Sequence, residues 1–99
     1  MCGAKAGGLS VEGIDVTTEA VVQGTVTRHG EPVSGAYVRL LDGQGDFTAE
    51  VPTSATGQFR FFAAPGHWTV RTLAPKADPV DTVVSATRGE VAELAVSVG

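Results

Sequence analysis

Asparagine is absent from this 99-residue chain, cysteine occurs once, at Cys2, and lysine only at Lys5 and Lys76. A single cysteine excludes an intrachain disulfide. The N-terminal run Met1-Cys2-Gly3-Ala4-Lys5-Ala6-Gly7-Gly8 lacks the apolar core that a secretory signal requires. No later run approaches the ~20 apolar residues needed to span a bilayer. Cytoplasmic residence is the resulting expectation. Seven Lys and Arg face eleven Asp and Glu, a formal net charge of -4. Nucleic-acid and anionic-membrane surfaces need clustered cations, so neither is expected as a partner.

Apolar residues make up 42% of the chain and charged residues 18%, the balance of a foldable globular protein. Thirteen Gly and five Pro supply an excess of corners, as turn-rich all-β domains require. Between Ala20 and Leu73 those corners punctuate period-two runs. Val22, Gly24 and Val26 alternate with Gln23, Thr25 and Thr27, and Ala36, Val38 and Leu40 with Tyr37, Arg39 and Leu41. Gly30-Glu31-Pro32-Val33-Ser34-Gly35 separates these two runs. Thr56-Gly57 precedes Phe59-Arg60-Phe61, and Pro65-Gly66 precedes Trp68-Thr69-Val70. Successive side chains on a strand leave opposite faces, so this pattern predicts half-buried strands.

Seven strands are predicted, over 20–28, 36–41, 47–53, 58–63, 67–73, 80–85 and 91–98. Their regular spacing is that of a sandwich or barrel. Residues 1–18 read as a flexible Gly-rich N-terminal tail, in which Val11, Ile14 and Val16 can dock on the domain. Residues 19–99 read as one domain. Alternation assigns Val22, Val26, Val38, Leu40, Phe59, Phe61, Trp68, Val70, Leu94, Val96 and Val98 to the core. Gly24, inside the first strand, predicts a close approach by backbone or by the ring of Trp68 or Phe59. Pro52 makes the third run an edge strand or a bulged one.

Val22-x-Gly24-x-Val26 followed by Gly30-Glu31-Pro32-Val33-Ser34-Gly35-Ala36-x-Val38-x-Leu40 resembles the opening of carboxypeptidase regulatory-like domains. Thr56-Gly57-x-Phe59-x-Phe61 and Ala64-Pro65-Gly66-His67-Trp68-Thr69-Val70 are similar to the continuation of that pattern. The resemblance implies an all-β fold of about seven antiparallel strands, a Greek-key β-sandwich of the prealbumin-like, transthyretin-like type. Over its whole length the chain, with its Met-Cys start, also resembles a small actinobacterial family of uncharacterised single-domain proteins. Members are typically encoded beside a thiosulfate sulfurtransferase of the rhodanese type, which implies a role in sulfur metabolism.

The activities of related sandwiches can be tested against the residues. Isopeptide-stabilised adhesins join a strand Lys to an Asn, and this chain has no Asn. Hydroxyisourate hydrolases end in Tyr-Arg-Gly-Ser, whereas this chain ends Val96-Ser97-Val98-Gly99. His29 and His67 lack a third ligand at metal spacing and read as turn histidines. Asp42-Gly43-Gln44-Gly45-Asp46 lacks the alternating oxygens of a cation loop and reads as a hairpin turn. No catalytic residue, metal ligand or cofactor is expected. Cys2 is the candidate sulfur acceptor, an adjacent amine and thiol if Met1 is removed; its ordinary reading is an exposed thiol.

One surface pattern remains. Tyr37, Arg39, Arg60, Phe62 and Arg71 all occupy outward positions and would form one interface if their strands share a sheet. Arg and aromatic residues are enriched in interfaces, while cross-strand pairing with Thr48, Glu50 and Thr69 is the plainer explanation. The sequence reads as a non-enzymatic accessory or binding module, and the family resemblance implies a rhodanese-type sulfurtransferase as its partner. The alternative is a structural, self-assembling or carbohydrate-binding module. An enzyme would need a concave pocket joining His29 or His67 to a carboxylate.

Overall fold

The alternation of the sequence is realised as two stacked sheets in the computed structural model, which describes residues 4–6 and 20–99. The strands are β1 (Ala4–Ala6), β2 (Ala20–Arg28), β3 (Glu31–Pro32), β4 (Tyr37–Leu41), β5 (Phe47–Pro52), β6 (Gln58–Ala63), β7 (Gly66–Leu73), β8 (Val80–Ala86) and β9 (Val91–Ser97). One sheet runs β1-β6-β2, with β9 on the far side of β2 and the short β3 hairpinned onto the end of β2. The other runs β5-β4-β7-β8. All seven expected strands are present, and the fold is an all-β sandwich. Two short strands join them, β3 and, within the segment read as a tail, β1 against β6. Every pairing is antiparallel except that of β2 with β9, which is parallel from Val21↔Val91 to Thr27↔Ser97. The first and last long strands of the domain can lie side by side in that sense because β9 arrives from the opposite sheet.

The core lies between the sheets. Val22, Val26, Val38, Leu40, Phe59, Phe61, Trp68, Val70, Val96 and Val98 are buried as alternation requires, and Leu94 is half-buried against them. Phe59 and Phe61 pack with tilted rings 6.2 Å apart. Trp68 buries its ring yet donates its indole N–H to the Ala64 carbonyl at 2.9 Å, so its polar end is satisfied. Each large apolar side chain buried contributes about 1.5–3 kcal/mol.

Local chemistry explains the corners. His29 and Gly30 both hold positive φ, 51° and 83°, between the paired residues Arg28 and Glu31. That is the two-residue hairpin turn whose twist matches its flanking strands. At the other end, buried Thr53 accepts the Ala36 N–H at 2.9 Å and donates to the Val33 carbonyl at 2.6 Å. Its hydroxyl thereby ties the crossing from β3 to β4 to the end of β5. β5 is an edge strand, which accommodates Pro52, and its register shifts at the far end, opposite Leu40 and Leu41.

Gly24 has the reason its position suggests. A Cβ there would collide with the Leu94 carbonyl oxygen and come within 2.9 Å of the Phe59 ring. Gly24→Ala is expected to destabilise the protein by about 1–3 kcal/mol through overpacking. Thr72 is the converse case, fully buried with a hydroxyl that has no hydrogen-bond partner. Thr72→Val removes that unsatisfied group and is expected to stabilise by about 1 kcal/mol. Urea midpoints of the two variants, moving in opposite directions at constant m, check both.

Candidate functional site: the outer face of the four-stranded sheet

The outer face of β5-β4-β7-β8 is built in rows by cross-strand register. Arg39 stands opposite Glu50 on one side and Arg71 on the other, and Arg71 stands opposite Asp81. The row therefore reads Glu50, Arg39, Arg71, Asp81. Two like charges directly opposite repel, and each is neutralised by the acid on its edge strand. Arg39 Nε lies 2.7 Å from Glu50 Oε2, and Arg71 grips Asp81 with two bonds of 2.9 and 3.0 Å. The hydrogen bond from Arg71 holds the Asp81 carboxyl below its usual range, and Asp81 in turn raises the Arg71 guanidinium.

Apolar rows flank this neutral stripe. On one side Tyr37 pairs with Pro52 and Leu73; on the other Leu41 pairs with Phe47 and Thr69, and Thr69 with Val83. Tyr37 is 53% exposed, Phe47 61% and Val83 75%. Arg39 lies 5.9 Å from the centre of the Phe47 ring, a cation–π contact that fixes the ring over the stripe. His67 and Ser85 extend the same face, with Nδ1 and Oγ 3.0 Å apart.

The expected five-residue interface is thus corrected. Tyr37, Arg39 and Arg71 share a face, but Arg60 and Phe62 belong to β6 in the other sheet. They are also buried, at 9% and 5% exposure. Phe62 pairs with the equally buried Val21. Arg60 donates from Nε to Gln23 Oε1 at 2.7 Å, and Gln23 donates to Glu93, a polar relay across β6, β2 and β9. Period two separates the faces of a strand without saying which sheet the strand joins. Asp81 and Val83 escaped the sequence reading, although the alternation of Asp81, Val83 and Ser85 along β8 carries the signal.

Other candidates resolve more simply. Asp42 Oδ1 accepts the N–H groups of Gln44 and Asp46 at 2.9 and 3.0 Å, which is the chemistry of a hairpin turn. An open depression of about 380 Å³ at one end of the sandwich is lined by His29, Asp78 and Ser97 among others. This is the concave site an enzyme reading calls for, yet no hydrogen bond joins those three side chains. Among the described residues no group of three His, Cys, Asp or Glu is placed to hold a metal ion. Cys2 lies outside the described residues.

Residues 2–98 match a family described as a protein of unknown function, DUF1416. The chain belongs to that family. An uncharacterized protein of Mycolicibacterium smegmatis is 51% identical over 87 residues, covering 87% of this chain and 96% of the relative. The uncharacterized protein Rv0814c of Mycobacterium tuberculosis is 44% identical over 100 residues, covering 99% of each chain. Among solved structures, a DUF3823 family protein from Parabacteroides merdae superposes with TM-score 0.66 at 15% identity. The match covers 83% of this chain and 46% of that one, so this DUF1416 domain spans less than half of that neighbour. GBS52, the minor pilin of Streptococcus agalactiae, gives 0.68 at 11%, over 82% of this chain and 44% of that one. Catechol 1,2-dioxygenase from Pseudomonas arvilla gives 0.61 at 13%, over 88% and 54%. Such distant likeness establishes the sandwich fold alone.

The charged row makes a pH-dependent contribution whose sign is fixed. Asp81 binds its proton less tightly folded than unfolded, so the pairing stabilises above the ordinary carboxylate range. That contribution is lost as pH falls through the folded value. Asp81→Asn should lower the thermal midpoint at pH 7, and the gap to wild type should close below about pH 4. A gap unchanged at about pH 2 would show that Asp81 acts by something other than charge.

Proposed function

We propose that this DUF1416 protein is a non-enzymatic accessory module that docks another protein through the outer face of its four-stranded sheet. The observation that carries the reading is the concentration of exposed apolar surface there. Among the described residues, three of the four large apolar side chains that stand exposed, Tyr37, Phe47 and Val83, lie on this face, the fourth being Val91. Between them the Glu50-Arg39-Arg71-Asp81 row is charge-neutral and supplies directional polar contacts. A neutral stripe between apolar rows suits a protein partner of mixed polarity, as interfaces generally are.

The partner proposed is a rhodanese-type sulfurtransferase in the cytoplasm, a link that rests on the sequence resemblance. In that setting the Cys2 thiolate would attack the outer sulfur of the enzyme's persulfide. Cys2 would become the persulfide and the enzyme's thiolate would leave, with no net oxidation. A self-assembling structural module is the second reading, favoured by the edge of β9 that no other described strand pairs. Carbohydrate binding is supported less, because Tyr37 and Phe47 stand on opposite sides of the charged stripe and form no continuous stacking platform.

A C-terminal tag, which leaves Cys2 unobstructed, allows capture from native lysate read by mass spectrometry. Wild type should enrich a rhodanese-type sulfurtransferase, and a Tyr37→Ala, Val83→Glu double variant should lose it by tenfold or more. Recovery of the protein without any such enzyme would overturn the partner. Equal capture by the double variant would overturn the face.

A further inference from the structure

Among the described residues, β9 is the long strand of its sheet that has a neighbouring strand on only one flank, β2. Backbone parity along it is settled by two bonds: the Glu90 carbonyl accepts from Val21, and Val98 N–H donates to the Thr27 carbonyl. Since lateral direction alternates along a strand, Ala92, Leu94 and Val96 also turn their peptide groups to β2. Val91, Glu93, Ala95 and Ser97 turn theirs away from it, and all four residues are exposed. Natural edges are protected by brevity, proline, bulges or charge, above all lysine. β1 is three residues long, and β5 carries Pro52 and a register shift. β8 is entered through Asp78-Pro79 and carries Asp81. β9 reads Val-Ala-Glu-Leu-Ala-Val-Ser, seven residues with one charge, no proline and no bulge.

We propose that this edge pairs antiparallel with β9 of a second copy of the chain, about a two-fold axis through Leu94. The sequence of the strand is self-complementary in that register and in few others. Val91 faces Ser97 of the second copy, and Glu93 faces Ala95, so each outward-turned peptide group meets another. Leu94, only half-buried in the single chain, meets its own counterpart at the axis on the core side. A register centred on Glu93 would instead set two carboxylates directly opposite, which is destabilising. A register displaced by one residue would set free peptide groups against groups already bonded to β2. Closed, isologous pairing of this kind buries both edges at once and leaves no end to propagate. It uses an edge of one sheet, so it stands apart from the outer face of the other sheet assigned above to a different protein.

The parity also supplies a clean test. Proline at position 95 removes an N–H that points away from β2, so Ala95→Pro deletes no bond within the chain and edge strands tolerate it. Sedimentation of wild type and Ala95→Pro is measured in reductant, which keeps a Cys2 disulfide from contributing. Circular dichroism confirms that the variant keeps its strand content. Wild type is expected at twice the 10.1 kDa chain mass, dissociating on dilution, and Ala95→Pro at one chain mass with unchanged spectrum. Wild type at one chain mass across the concentration range overturns the proposal. So does a folded Ala95→Pro that remains dimeric, which would move the contact to β8 or the exposed sheet face. A Glu93→Gln variant keeps the reading falsifiable should Ala95→Pro misfold. In the proposed register it leaves the dimer intact, whereas tightening by tenfold or more would mean that the two Glu93 carboxylates face one another.

Discussion

The central position of β2 is the constraint on which the rest of the structure depends. It is bonded antiparallel to β6 on one side and parallel to β9 on the other. Both neighbours come near it at Gly24, where the Leu94 carbonyl and the Phe59 ring occupy the space of a side chain. Any residue with a Cβ would push β9 and β6 outward together, and the core residues they carry would move with them. The chain enters this sheet from the other through β5 to β6 and again through β8 to β9. Those crossings hold their geometry only because polar groups within them are paired. Thr53 shows how: one side-chain oxygen and its own backbone bind Val33, Ala36 and Gly35, closing both sides of the junction.

A different logic governs the outer face of the four-stranded sheet. Arg39 and Arg71 stand directly opposite each other on neighbouring central strands, an arrangement that would repel in isolation. The acids that relieve it sit on the edge strands, so the row alternates as minus, plus, plus, minus. Exposed pairs of this kind contribute little to stability, of order 0–1 kcal/mol each. Their value lies in arrangement: each guanidinium is tied to the acid beside it, and that of Arg39 also lies over the Phe47 ring. The result is a row whose charges sum to zero, in keeping with the protein partner proposed above.

How far the sequence reaches follows from what period two encodes. It separates the two faces of each strand, so the seven strands, ten buried core positions and the reason for Gly24 are legible. It does not encode which strands are neighbours. Arg60 was therefore grouped with Arg39 and Arg71 although β6 lies in the other sheet. Alternation also fails where both faces of a strand are removed from solvent. Arg60, Phe61, Phe62 and Ala63 are buried in succession, and no spacing rule distinguishes that run from a one-sided strand. The parallel pairing of β9 was illegible for the same reason, since parallel and antiparallel neighbours leave the same pattern when one face is wet.

The treatment of edges links fold to assembly. A sheet edge invites pairing unless something prevents it, and this chain guards its edges unequally. Pro52 and a bulge sit on β5, beside the apolar face proposed to bind another protein, where strand addition would compete with docking. β9 carries no such guard, and its one charge falls where a two-fold axis through Leu94 places it opposite alanine. An edge left open by neglect would have no reason to satisfy its own register. The placement of Glu93 one residue from that axis leaves self-pairing possible in the register centred on Leu94 and makes it costly in the register centred on Glu93.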